Sequence, residues 1–131
     1  MTRTESPPKP TEAELGILNV LWERGPSTVR DVHEVLYRDE GSGYTTALKL
    51  LQIMHGKGLV VRDDSERAHV FRAAFSKEST QKRFLVDIVQ RVFGGSSSQL
   101  VLQALGGRPR ATRKEVEEIR ALLDKIEEPR K

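Results

Sequence analysis

The fold is decided by the run Tyr44-Thr45-Thr46-Ala47-Leu48-Lys49-Leu50-Leu51-Gln52-Ile53-Met54-His55-Gly56-Lys57-Gly58-Leu59-Val60-Val61. Its apolar side chains recur at the spacing that places residues on one face of a helix. That face comprises Ala47, Leu50, Leu51 and Met54. The helix should end near Lys57, because Gly58 suits the positive φ found just past a helix end. The run therefore predicts a helix, a glycine stop and the first strand of a hairpin.

The opposite face of this helix is polar. It comprises Thr45, Lys49, Gln52 and Gly56, with Thr46 and Ile53 along one border and Leu48 and His55 along the other. Hydroxyl, amide and ammonium groups on such a face can reach base edges or phosphates of DNA. A helix that only covers a core presents the same kind of face to water. The flanking elements must decide between the two readings.

The segment before this helix predicts two shorter helices. Thr11 to Glu14 matches a capping box that opens the first helix, and Gly25-Pro26 ends it. Ser27 or Thr28 caps the second helix, and the polar loop 39–43 ends that one. Helix, tight turn, helix, loop and helix in this order are typical of a helix-turn-helix core, whose last helix reads the groove.

The segment after the helix predicts a two-stranded hairpin. Residues 59–62 are rich in β-branched side chains, residues 63–66 favour a turn, and residues 67–73 alternate between apolar and polar. A hairpin directly behind the third helix is a wing. Its Arg62, Arg67 or Arg72 could contact phosphates, whereas its acidic tip should stay away from DNA.

The C-terminal part predicts helices with more apolar surface than they can bury alone. One begins at Ser76, a short one spans Gln99 to Leu105, and a capping box at Thr112 and Glu115 opens the last. The apolar positions comprise Phe84, Leu85, Ile88, Val92, Leu100, Leu102, Val116, Ile119, Leu123 and Ile126. Such surplus indicates an obligate homodimer built from these helices.

The predicted fold class is mainly α with a small β-hairpin wing. We expect a disordered N-terminal segment over residues 1–10, a winged helix-turn-helix DNA-binding domain over residues 11–75, and a helical dimerisation domain over residues 76–131. The prolines and polar residues of the first segment show no apolar period.

Composition limits the functions open to the chain. The net charge is +3, but the first 77 residues hold eleven basic and eleven acidic side chains, so any affinity for DNA must come from local arrangement. The absence of cysteine excludes disulfides and thiolate metal sites. No stretch is apolar enough for a membrane span or a signal peptide, which predicts a cytoplasmic protein without membrane insertion. His33, His55 and His69 lack metal-ligand spacing, and neither a catalytic grouping nor a cofactor motif is visible.

Several of these residues resemble the penicillinase and methicillin-resistance repressors of the BlaI/MecI/CopY type. The resemblance is carried by residues 11–15 through Trp22, by 28–32, by Tyr44-Thr45-Thr46 leading to Lys57-Gly58-Leu59-Val60, by residues 94–102, and by the last capped helix. It implies a dimeric winged-helix repressor on a dyad-symmetric operator. It also implies a membrane-bound sensor protease that relieves repression by a cut in the dimerisation region, here near Gln103 and Ala104.

Two departures limit what the resemblance implies. Leu48 and Ile53 stand where those repressors often carry basic side chains, so their operator sequence does not carry over. The paired cysteines of the copper-sensing branch are absent, which argues against copper.

The sequence thus predicts a sequence-specific repressor that acts as a homodimer on double-stranded DNA, without enzymatic activity. The predicted DNA contacts are Tyr44, Thr45, Thr46, Lys49, Gln52 and Arg67. One rival is a winged-helix scaffold that binds protein without DNA specificity, which the neutral first half allows. A hydrolase using the loop Gly94 to Ser98 is a weaker rival, since the loop lacks the Gly-x-Ser-x-Gly elbow.

Overall fold

A computed structural model of the protein describes residues 8–41, 43–107 and 110–127. In chain order the elements are α1 (Glu12–Arg24), β1 (Ser27–Thr28), α2 (Val29–Leu36), α3 (Gly43–Lys57), β2 (Val60–Asp63), β3 (Val70–Ala73), α4 (Lys77–Arg91), α5 (Ser97–Gly107) and α6 (Arg113–Glu127). The chain divides into two compact units, Met1–Ile88 and Val89–Lys131, so that α4 contributes to both. The predicted class, mainly helical with a small β wing, is confirmed.

α1 begins and ends where its sequence signals predict, whereas α2 ends at Leu36, ahead of the predicted loop 39–43, and α3 begins at Gly43, the last residue of that loop. At the start of α1 the Thr11 hydroxyl accepts from the Glu14 amide at 3.2 Å, while the Glu14 carboxylate accepts from the Thr11 amide at 2.9 Å. Thr28 and Asp31 form the same reciprocal pair at the start of α2. Gly58 follows α3 with φ at +83°, a conformation that residues with a side chain rarely adopt.

The core of the first unit lies between α1, α2, α3 and the sheet. Its buried side chains are Ile17, Leu18, Val20, Leu21, Val29, Val32, Ala47, Leu51, Met54, Leu59, Val60 and Phe71. Three of the four predicted inward positions of α3, Ala47, Leu51 and Met54, are fully buried. The fourth, Leu50, is partly buried against this core.

The sheet has three strands and not the predicted two. The hairpin of β2 and β3 is present with Arg62 opposite Phe71. The two-residue strand β1 adds to the other side of β3, with Ser27 opposite Phe71, in the order β1-β3-β2. β3 begins only at Val70, so Arg67 lies in the loop and not in the strand. Phe71, in the central strand, is buried in the core.

The N-terminal segment is described only in part. Residues 1–7 of the predicted disordered stretch lie outside the described residues. Pro10 is buried, and the Lys9 ammonium lies 2.7 Å from the Asp87 carboxylate and 5.9 Å from the centre of the Phe84 ring. Residues 9 and 10 therefore pack within the first unit, ahead of the capping box.

The second unit consists of the end of α4 followed by α5 and α6. Gly94 and Gly95, both with positive φ, separate α4 from α5, and the Ser96 hydroxyl accepts from the Gln99 amide at 3.1 Å. α5 runs from Ser97 to Gly107 and is longer than the predicted helix. The Thr112 hydroxyl accepts from the Glu115 amide at 3.1 Å, as the capping box predicts. Within the described ranges, no helix is long and apolar enough to cross a membrane.

Candidate nucleic-acid interface

The outer face of α3 is polar and open. Thr45, Lys49, Gln52 and Gly56 are all exposed, opposite the buried Ala47, Leu51 and Met54. The four lie one turn apart along the helix, which gives a continuous strip. Lys49 is its only charged side chain. The strip can therefore donate and accept hydrogen bonds without repelling a polyanion.

The borders of this face differ from one another. Tyr44, at the start of α3, is 48% exposed, and its ring packs edge-to-face with that of His33 at a centroid distance of 6.0 Å. Thr46 is half-buried and already has a bonding partner. Ile53 is 42% exposed. Of the predicted contacts on α3, Thr46 is thus the least accessible.

A groove of about 500 Å³ runs beside α3 and joins three elements. Its lining comprises Thr28, Val29, Arg30, Tyr44, Leu48, Arg67, Ala68 and His69. The fold thereby brings together two of the predicted contacts, Tyr44 and Arg67, which are 23 positions apart in the chain. It adds Thr28, Arg30 and His69, which sequence reasoning did not select. Lys49 and Gln52 are not part of this lining.

The end of β2 and the wing loop (residues 64–69) carry three acidic side chains, of which Asp63 and Asp64 have bonding partners within the wing. The Asp64 carboxylate lies 2.8 Å from the Arg62 guanidinium and 3.6 Å from the His69 ring. The Asp63 carboxylate accepts from the Ser65 amide at 2.9 Å, and this backbone hydrogen bond lowers the pKa of Asp63. Asp64 is thus paired, whereas Asp63 stays ionised and the exposed Glu66 lies next to Arg67. The basic side chains that line the groove are Arg30 and Arg67.

Comparison with known proteins assigns a family to this arrangement. A family model described as "Penicillinase repressor" matches residues 10–125, which is most of the chain. The chain belongs to the penicillinase repressor family. The repressor is also 30% identical over 92 residues to the "Transcriptional regulator BlaI" of Mycobacterium tuberculosis, in strains CDC 1551 / Oshkosh and ATCC 25618 / H37Rv. Each match covers 70% of the repressor and 67% of the relative.

Membership confirms the resemblance stated from the sequence, and it makes the protein a transcriptional repressor. Its role is regulatory. At the groove, Thr28 caps α2 and Arg30 lies in its first turn, so the N-terminus of this helix lies beside the basic side chains of the groove. The capping residue Thr28 was visible in the sequence, but its closeness to the wing depends on the β1–β3 pairing.

The repressor's predicted dimerisation residues lie on three helices. Phe84, Leu85 and Ile88 of α4 line an apolar cleft of about 290 Å³ together with Leu15 and Trp22 of α1. Exposure is high for Val92, Leu102, Leu123 and Ile126, at 68%, 65%, 51% and 70%. Leu100, Val116 and Ile119 are partly buried. From Val89 to the end of the described ranges no residue is buried, so this unit has no core of its own.

The residues of the predicted cleavage bond, Gln103 and Ala104, lie inside α5 of the repressor. Both are exposed. A bond in the middle of a helix is open to a protease only while that helix is locally unfolded. Gly106 and Gly107 end this helix, and glycine lowers helix stability by about 1 kcal/mol relative to alanine.

Proposed function

We propose that this repressor silences genes by binding a dyad-symmetric operator as a homodimer. Each protomer places the outer face of α3 in a major groove and turns Arg67, at the groove side of the wing loop, towards the adjacent backbone, with the acidic tip directed away from the DNA. The observation that carries this proposal is the open strip Thr45, Lys49 and Gln52 beside a groove lined by Arg30 and Arg67. Family membership supports the biological role, and this surface supplies the polar and basic groups that would contact DNA.

The side chains divide by the kind of contact their chemistry allows. Gln52 can pair with the edge of an adenine, and Thr45 can reach bases or a thymine methyl group from the first turn. Lys49, Arg30 and Arg67 are suited to phosphates, while Tyr44 can hydrogen bond to the backbone. Three neutralised phosphates per protomer make six per dimer, which predicts a slope of about −5 for log binding constant against log salt.

Two protomers are required because the second unit lacks a core. Exposed apolar side chains on α4, α5 and α6 can be covered by the same surface of another copy, which gives an isologous interface. A dimer also supplies two α3 helices, whose separation sets the spacing of half-sites at about one helical turn or a small multiple. The dimer is therefore expected to bind DNA far more tightly than a single protomer.

Relief of repression fits a cut between Gln103 and Ala104, as the resemblance implies. A membrane-bound sensor protease would recognise α5 while it is transiently unfolded. Cutting there separates α6 from the rest of the protomer. Loss of α6 removes the apolar positions 116, 119, 123 and 126 from the interface, so the dimer weakens and the operator is released.

The test is a gel shift with DNA from upstream of the protein's own gene, against a scrambled duplex of equal length, at rising KCl. Specific binding that weakens with the slope given above supports the proposal. Gln52→Ala should lower affinity for the operator by about 1–3 kcal/mol and leave scrambled DNA unaffected. Equal affinity for both duplexes would instead favour the scaffold reading.

A further inference from the structure

One acidic side chain of the first unit lies where acidic side chains are rarely found. Glu14, in the first turn of α1, is 2% exposed, and among the described residues it is the only charged side chain in the buried set. Its two oxygens are both engaged. One accepts from the Thr11 amide at 2.9 Å, and the other accepts from the Lys57 ammonium at 2.7 Å.

The partner of this carboxylate lies at a junction. Lys57 is the last residue of α3, and Gly58 turns the chain with φ at +83°. The Leu59 amide donates to the Met54 carbonyl at 2.9 Å, and β2 begins at Val60. The Glu14–Lys57 pair therefore joins the start of α1 to the point where α3 gives way to the wing. It links residues 43 positions apart.

The environment of the pair makes it costly to break. Burial raises the pKa of Glu14, but the hydrogen bonds from Lys57 and Thr11 and the charge of Lys57 outweigh it, so the pKa is lowered overall. Removal of Lys57 would leave an ionised carboxylate buried with one hydrogen bond. Lys57 itself is 41% exposed at its side chain, so its methylene stem is partly covered while its ammonium remains at the carboxylate.

A lysine at the end of a recognition helix has an alternative role, which is to contact a phosphate. The two roles compete for one ammonium, because a contact with DNA would require it to leave the carboxylate at 2.7 Å. Leaving exposes the buried charge of Glu14 without a counterion. Lys49, which is exposed and has no acidic partner within the described ranges, meets no such obstacle.

We infer that Glu14 and Lys57 are positioning residues for operator binding. Their ion pair fixes the end of α3, and with it the start of the wing, against α1, and Lys57 contacts no phosphate. This inference rests on the proposed function, because it concerns how the α3 face and the wing loop are presented together. Misalignment of the two should affect the specific complex, in which every contact must be made at once, more than loose binding to any DNA.

The test compares Lys57→Met with Lys49→Met in the full-length protein by fluorescence anisotropy, on operator and scrambled duplexes over a range of KCl concentrations. Both substitutions remove one ammonium and keep an apolar stem. Lys49→Met should reduce the magnitude of the salt slope by about 0.9 per protomer. Lys57→Met should leave the slope unchanged and reduce the ratio of specific to non-specific binding by about tenfold.

Glu14→Gln supplies an independent variant, since glutamine can keep the capping box while the charge is removed. It should lower the same ratio, and the double variant Glu14→Gln with Lys57→Met should lose no more than Lys57→Met alone. The double variant leaves no buried charge, so it keeps the test valid if Lys57→Met fails to fold.

Three results would overturn the inference. One is a smaller salt slope in Lys57→Met, which would make it a phosphate contact. The second is an unchanged specificity ratio in both Lys57→Met and Glu14→Gln, and the third is additive losses in the double variant. Wild-type protein that binds both duplexes equally would instead contradict the proposed function, so the two failures are distinguishable.

Discussion

Gly43 shows how one missing side chain positions the start of α3. A Cβ added at this residue would collide with the Tyr37 carbonyl oxygen, lie 2.6 Å from the Tyr37 Cβ and come within 3.1 Å of the His33 ring. The start of α3 can therefore approach the end of α2 only because residue 43 is glycine. Tyr44, the next residue, owes its place beside His33 to this close approach.

We expect Gly43→Ala to lower the free energy of unfolding by about 1–3 kcal/mol, the usual cost of overpacking a tight contact. Affinity for the operator should fall as well, because Tyr44 and Thr45 move with the start of the helix. Urea unfolding and anisotropy measure the two effects. Gly56→Ala is the stability control. A Cβ added at residue 56 meets nothing within 4 Å, and alanine favours the helix, so this variant should not lose stability. Equal stability of Gly43→Ala and wild type would contradict the close packing.

Glu14 makes stability depend on pH in a predictable direction. Its pKa in the folded protein lies below the ordinary value of 4.5, so the unfolded chain binds its proton first as pH falls. The stabilisation from this carboxylate is thus fully present above about pH 4.5 and is lost as pH falls through the lowered pKa.

We expect Glu14→Gln to be less stable than wild type at neutral pH, with the difference shrinking below about pH 4.5. Urea unfolding across a pH series, at one protein concentration, measures this difference. Glu12→Gln, in the same turn but exposed, is the matched control and should show no comparable change. A constant difference between Glu14→Gln and wild type from neutral to acid pH would contradict the assigned pairing.

A helix or strand is predictable from the sequence when the signal that specifies it is local. Some signals act within four residues and are recognisable in the sequence. They are the capping boxes at Thr11 and Thr112 and the helix stop at Gly58. β1 was missed because two residues show no periodicity and its partner in β3 lies more than 40 positions away. The burial of Glu14 was missed for the same reason, since a capping box explains a glutamate there without Lys57.

The sequence predicts that the candidate interface includes the polar face of α3, but it does not predict the groove residues beside that face. The polar face of α3 follows from helical spacing alone, and Thr45, Lys49 and Gln52 are exposed in the structure. The groove between α2, α3 and the wing loop needs the three-stranded sheet, which brings β1, and with it the start of α2, alongside β3. No local pattern selects Arg30 over other basic residues.

Two exposed arginines of the wing, Arg67 and Arg72, should differ in their contribution to DNA binding. Arg67 lines the groove, whereas Arg72, equally basic and exposed on β3, does not. We expect Arg67→Ala to weaken binding to operator and scrambled DNA alike and to reduce the salt slope by about 0.9 per protomer. Arg72→Ala should leave the slope unchanged. Anisotropy at several salt concentrations measures both, and equal slopes for the two variants would contradict a role for the groove.

The described part of the second unit has no core within a single chain. Its helices are well capped, yet none of its described residues is buried. Helical patterning predicts which side chains form an apolar seam, but it does not contain the surface that covers them. A second copy is the simplest cover, because an isologous interface requires no other partner.

We therefore expect Leu123→Glu to convert the repressor from dimer to monomer, because it places a charge in the seam of α6 where Leu123 is 51% exposed in the single chain. Ala121→Glu adds the same charge on the opposite side of α6 and should remain dimeric. Analytical ultracentrifugation gives the mass, and anisotropy should show loss of high-affinity operator binding in Leu123→Glu alone. A dimeric Leu123→Glu would move the interface away from this seam.

Cleavage at Gln103–Ala104 requires α5 to unfold locally, so its rate should follow the stability of that helix. Gly106 and Gly107 end α5 with nothing within 4 Å of where a methyl group would lie, and alanine fits both positions without strain. Each replacement favours the helix by about 1 kcal/mol, or about 2 kcal/mol together, so the double variant should be cut roughly thirtyfold more slowly. Limited proteolysis with a non-specific protease, followed by mass spectrometry of the fragments, measures cutting at this bond. Cutting at sites outside α5 serves as the internal control and should not slow. Unchanged cutting between residues 103 and 104 would mean that the bond is reached without helix opening.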